Sequence, residues 1–268
     1  MPVAAVAVET PDRIFIGNAG QHVTRPNSLV IGADGVTQKE RSKTSAKPEA
    51  EKTHLHQIMV LNGDGKSNIC TEDSLVKMAE HEATYSVLLC NPPFGIKIVE
   101  KRFAVLRHFD LGHEWKRGDD GRLAPSEKVL KSQEMGLLFA ELCVRQTAPG
   151  GRIGIIMPNG YLGNKSTRYL AFREWLLRHT RLVAVIGFPR FTFKKSGADV
   201  SASVLVLERR EDALAYAVDA DDYAFHAGLL ESVGWSAGDK RAEAVYRRDM
   251  ETGEMVLDPN NEPILDAD

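Results

Sequence analysis

Apolar positions along this chain fall into short runs that alternate with stretches of helical period. Tyr85-Ser86-Val87-Leu88-Leu89-Cys90 has the length and make-up of a buried strand, and Asn91-Pro92-Pro93-Phe94 closes it abruptly. Arg152–Met157, Leu182–Ile186 and Ser203–Leu207 read as further strands, and Asn68-Ile69-Cys70-Thr71 as a short one. Between them, Gln133–Thr147 sets Leu137, Leu138, Leu142 and Val144 at helical spacing. Ser166–His179 does the same with Tyr169, Leu170, Phe172, Leu176 and Leu177. Asp73-Ser74 offers an N-cap to a helix through Leu75, Met78 and Ala79. Leu55–Leu61 reads as a helix end stopped at Gly63-Asp64-Gly65, with Asp64 a turn residue. The alternation predicts an α/β fold: a mainly parallel sheet between helices, with ligands at the carboxyl ends of strands. Asn91 stands at one such end.

Outside this rhythm the chain changes character. Residues 1–52 read as an irregular or degenerate segment, 53–210 as the α/β domain, and 211–268 as a tail whose Tyr246–Val256 stretch predicts a hairpin. Residues 96–132 are charged, contain Gly118-Asp119-Asp120-Gly121, and read as one long connection.

Composition narrows the chemistry. A formal net charge of −3 excludes a basic chain that coats DNA unaided. Cys70, Cys90 and Cys143 lack paired spacing and read as reduced, buried thiols of a cytoplasmic protein. His54 and His56 stand two apart without further ligands, so no metal site is expected. The apolar Val3–Val8 run is too short to span a bilayer.

The Asn91–Phe94 corner carries the chemistry. Proline donates no N–H to a sheet, and the residue before it is held extended, so the backbone leaves the sheet with carbonyl oxygens free. Asn91 adds a side-chain acceptor and Phe94 an apolar plate. Two acceptors beside a plate suit a planar ring held by an exocyclic amine. They favour pyramidalisation of that weakly nucleophilic nitrogen and offset the positive charge that grows as it attacks a methyl sulfonium. A base inside duplex DNA reaches such a slot only when rotated out of the stack.

The segment resembles motif IV of amino-group DNA methyltransferases, in the NPPF form of the N6-adenine branch. Lys131-Ser132-Gln133-Glu134, Ala148-Pro149-Gly150-Gly151-Arg152, Ile153–Gly160, Thr192-Phe193 and Ser201–Leu207 follow in order. That order resembles the methylation subunit of type I restriction-modification systems, over roughly residues 54–210. The resemblance implies a Rossmann-like class I methyltransferase sheet with its last strand, Ser203–Leu207, antiparallel, and S-adenosylmethionine as cofactor. It implies catalytic roles for Asn91, Pro92, Pro93 and Phe94, and cofactor contact through Asp73. Phe193 would face the flipped base opposite Phe94, with Phe191 the alternative on the same strand face. Lys194 and Lys195 read as a solvated loop or a phosphate contact. Pro158-Asn159-Gly160 reads as shaping a strand exit.

One piece of the family pattern is missing. The glycine-rich Asp-Pro-x-x-Gly-[ST]-Gly turn has no good counterpart. Ile14–Gly20 is the nearest substitute, with Leu29–Asp34 as second strand and acid, so the domain is expected to be N-terminally incomplete. Target choice would then come from specificity and restriction subunits or from a missing N-terminal half. Two other readings share motif IV: a non-catalytic methylase fragment that docks to a partner, and a methyltransferase acting on protein glutamine.

Overall fold

A computed structural model of the chain describes residues 73–76, 82–93, 98–190, 192–193, 200–220, 222–234 and 243–267. It also gives the backbone of 21–25, 28–32 and 69–71. The expectations for Ile14–Gly20, Ala33, Asp34, His54, His56, Leu55–Leu61, Asp64, Met78 and Ala79 lie outside the described residues. So do those for Phe94, Phe191, Lys194 and Lys195.

Among the described residues there are twelve strands: β1 (Gln21–Arg25), β2 (Ser28–Gly32), β3 (Ile69–Thr71), β4 (Tyr85–Asn91), β5 (Val99–Glu100), β6 (His113–Arg117), β7 (Leu123–Val129), β8 (Gln133–Glu134), β9 (Thr147–Pro158), β10 (Thr180–Gly187), β11 (Ala202–Arg209) and β12 (His226–Leu229). The helices are α1 (Phe103–Leu106), α2 (Met135–Gln146), α3 (Asn159–Gly163) and α4 (Thr167–His179).

Eight strands form one sheet in the order β12-β10-β11-β9-β4-β2-β1-β3. β4 runs parallel to both neighbours, β2 and β9. β11 is antiparallel to β9 and β10, the reversed late strand that the resemblance implies. A second reversal, β1 against β2 and β3, was not foreseen. The strand expected over Leu29–Asp34 is present as β2, and it is the immediate parallel neighbour of β4, with Gly32 opposite Asn91. The sheet passes both expected boundaries, since β1 and β2 precede residue 53 and β12 follows residue 210 and pairs with β10.

Helix-to-strand junctions repeat one device. Thr147 and Thr180 each end a helix and begin a strand, and their hydroxyls donate to the carbonyls of Cys143 (2.7 Å) and Leu176 (2.8 Å). Each hydroxyl thus adds a second bond to the carbonyl that already accepts the backbone N–H of the same threonine, which pins the turn from helix to strand. α2 is buried nearly all round, because it packs on β4 and β9 and is covered by α4.

From residue 98 to 132 the expected long connection is built of defined elements. β6 and β7 pair as a hairpin, and Gly118–Gly121 is its turn. Trp115 and Leu123 are 6% and 7% exposed and face the core, while Lys116, Arg117, Glu127 and Lys128 are exposed. The hairpin's period of two is short and broken by Pro125, which hides it from a reading by pattern. Near the C-terminus, an antiparallel bridge joins Arg248 to Met255 across an Asp249–Glu254 turn.

Candidate functional site

β4 alternates buried Tyr85, Leu88 and Cys90 with more exposed neighbours and delivers Asn91 to the carboxyl edge of the sheet. The strand approaches β9 closely at Gly151, where a Cβ would stand 2.9 Å from the Ser86 carbonyl oxygen. Glycine there lets the two parallel strands meet across an irregular register. Pro92 and Pro93 are buried. The Asn91 Oδ1 atom is buried and has no hydrogen-bond partner among the described residues. Buried side-chain oxygens are satisfied in most folded proteins, so an acceptor without a partner among the described residues sets Asn91 apart on this strand.

A polar cluster backs the corner. Gly136, in the first turn of α2, has no Cβ; one placed there would lie 3.0 Å from the Tyr161 hydroxyl and 3.4 Å from the Pro93 carbonyl oxygen. The Tyr161 ring stacks on Tyr169 at 5.1 Å and meets Phe172 edge-on at 6.2 Å. Glu134 is 1% exposed and accepts from Tyr169 Oη at 2.8 Å and Arg168 Nη1 at 2.9 Å. Burial, then the hydrogen bond to this carboxylate, pushes the Tyr169 hydroxyl up to about 12. Burial raises Tyr161 further still, with Glu134 adding to it. Both phenols are therefore neutral; Tyr169 donates to Glu134, while the Tyr161 hydroxyl is buried without a partner among the described residues. From the sequence, Glu134 figured only as part of the Lys131–Glu134 segment and Tyr161 had no weight, because a core tyrosine carries no signal of its own.

On the other flank, Asp73 follows β3 at the same sheet edge. Its Oδ1 accepts from Leu75 N at 3.2 Å, the turn geometry of a cap. Its Oδ2 pairs with Arg102 Nη2 at 2.8 Å. Arg102 also grips Glu100 through Nε (3.0 Å) and Nη2 (2.5 Å). Burial raises the Glu100 carboxyl, but the hydrogen bonds and charge of Arg102 outweigh it and the net shift is downward. Nothing in the spacing announced that Arg102 would meet a carboxylate 29 positions away.

Phe193 emerges after β10, half-buried and edge-on to Phe188 at 5.5 Å. β10 and β3 each stand three strand positions from β4, one on either side, so the strand ends that precede Phe193 and Asp73 lie roughly 14 Å to either side of the end of β4. The structure brings these three to one edge but not into mutual contact. Asn159 serves the strand exit: its N–H donates to Ser201 O and its Oδ1 accepts from Ser203 Oγ, both at 2.8 Å. Cys90 and Cys143 are free, buried thiols that meet between β4 and α2, and burial with this neighbour pushes the Cys90 thiol well up. Among the described residues, no three His, Cys, Asp or Glu side chains cluster as a metal site, and no helix is long and apolar enough to cross a membrane.

Comparison with known proteins places this edge in context. The family model described as N-6 DNA Methylase matches residues 47–225. No curated protein matches the chain. Among solved structures, a modification subunit assigned to a type I restriction enzyme from Vibrio vulnificus YJ016 is 24% identical over 57% of this chain and 29% of its own, with a TM-score of 0.42. A Listeria monocytogenes chain assigned as a class I S-adenosylmethionine-dependent methyltransferase is 19% identical over 65% and 46%, at 0.44. The M protein of the type I restriction enzyme EcoKI is 15% identical over 59% and 29%, at 0.39. The chain thus spans less than half the length of each of these three.

Proposed function

The chain belongs to the N-6 DNA methylase family, and from that premise we propose that it methylates N6 of adenine in DNA, as the methylating part of a restriction-modification assembly. The observation that carries this reading is the buried, unpartnered Asn91 Oδ1 at the carboxyl end of β4. Asn91 and the Pro92 carbonyl accept from the two N–H bonds of the exocyclic amine, and Phe94 and Phe193 lie against the faces of the extruded base. Stabilising the charge that develops on the amine needs no strong base in the chain. Pro93, buried against the first turn of α2, holds the corner rigid.

The methyl donor of the family is S-adenosylmethionine, which supplies an electrophilic methyl group on a sulfonium. The residues present fit it: Asp73 lies beyond β3 with its side chain 31% exposed, and its two hydrogen bonds leave lone pairs for the amino group of the adenine end. DNA is the substrate, and the choice of sequence belongs to a partner subunit, as the net charge of −3 gives this chain little grip of its own.

Two measurements test the reading. The purified chain should bind S-adenosylhomocysteine by calorimetry with a micromolar Kd. With DNA and its partner supplied, Asn91→Ala should lower methyl transfer by about 100-fold or more while that Kd stays put. A mutant as active as the wild type would remove Asn91 from the chemistry.

A further inference from the structure

Arg102 stands where two carboxylates converge. Glu100 is 5% exposed and takes up the guanidinium through two nitrogens, while its Oε1 also accepts the backbone N–H groups of Lys101 (2.8 Å) and Arg102 (2.7 Å). The same Nη2 that reaches Glu100 reaches Asp73. The base of this clamp is fixed, for β5 pairs with β8 and Met135 N donates to Ile98 O at 3.0 Å. That pairing ties it to the end of α2 that also abuts the Pro93 carbonyl. A planar guanidinium fork can serve both carboxylates at once, which a lysine ammonium on a flexible stem does far less well.

We propose that Arg102 is a positioning residue for the cofactor: it holds the Asp73 carboxylate in one orientation, with its free lone pairs turned to the amino group of the adenine end. The inference rests on the reading of Asp73 as the cofactor acid. An exposed aspartate otherwise samples several rotamers, and binding must then order it. Leu75 N and Arg102 Nη2 each take one oxygen, which removes that freedom in advance. The clamp also joins the loop after β3 to the segment after Asn91, so the two flanks of the edge keep one spacing.

Calorimetry with two ligands tests it: S-adenosylhomocysteine, and S-inosylhomocysteine, in which a keto oxygen replaces the amino group. Arg102→Ala should weaken S-adenosylhomocysteine roughly fivefold or more and leave S-inosylhomocysteine nearly unaffected. Arg102→Lys should fall between. Because Arg102→Ala strands the buried Glu100 carboxylate, the double variant Arg102→Ala/Glu100→Gln removes that charge and should show the same ligand-selective loss. Equal losses for both ligands would mean a merely structural role and overturn the proposal. Unchanged or tighter S-adenosylhomocysteine binding would overturn it too, the latter because Arg102 would then be a competitor. Asp73→Ala separates the two layers. A loss there with none in the Arg102 variants defeats this inference alone, whereas an unchanged Kd defeats the assignment of Asp73 and this inference with it.

Discussion

Gly136 shows how closely the Asn91–Pro93 corner depends on a missing methyl group. Tyr161 is held between Tyr169 and Phe172, and the Pro93 carbonyl belongs to the backbone, so neither neighbour can swing away from an added Cβ. Alanine would gain up to about 1 kcal/mol of helix propensity over glycine. Overpacking a buried site costs about 1–3 kcal/mol, and the cost should win. Gly136→Ala is therefore expected to lower the melting temperature and, by displacing Tyr161 or Pro93, to reduce turnover more than cofactor affinity. Unchanged melting and turnover would show that the cluster behind Pro93 has slack the distances do not suggest. None of this was legible in the sequence, where Gly136 is one small residue in an apolar helix.

At the scale of elements, the covering layer is held to α2 by a buried charge network. Glu141 is fully buried and accepts from Asp110 N and Leu111 N, both at 2.8 Å, and from Arg145 at 2.6 and 2.9 Å. Asp110 in turn accepts from Trp175 Nε1 of α4 at 2.8 Å. Burial pushes the Glu141 carboxyl up to about 7, with Arg145 pulling the other way. A folded-state value above the unfolded one means the folded chain binds the proton more readily. Its contribution is fully present below about pH 4.5 and is lost as pH rises through 7. His179, lowered first by burial, acts in the opposite sense: its share is lost as pH falls below the ordinary histidine value. Urea unfolding of wild type and Glu141→Gln across pH 4–8 isolates the first effect, because His179 is common to both. The difference in stability should narrow or reverse as pH rises; a constant gap would show that Glu141 is ionised throughout. Periodicity located α2 and α4 within two residues but could not foresee this network, since it joins residues 31 and 65 positions apart.

Across the whole molecule, strands with apolar runs were legible, down to the short β3, and those with polar or mixed faces were not. β4, β9, β10 and β11 announce themselves by composition, and the ordered motifs around them identify the sheet edge where Asn91 sits. β6, β7 and β12 escaped notice because short strands with one exposed face, or both exposed as in β12, carry almost no apolar signal. The same exposed, mixed-charge surface bears on DNA. Phosphate contacts supply most non-specific affinity, and a chain with a net charge of −3 has no excess of cations to make them. Duplex binding by the chain alone should therefore be weaker than about 100 μM at physiological salt, and should depend little on sequence. Fluorescence anisotropy with labelled duplexes checks this directly. Adding the partner that reads the sequence should tighten binding by several orders of magnitude and steepen its salt dependence. Tight, sequence-selective binding by the lone chain would place recognition within these 268 residues and refute the division of labour proposed above.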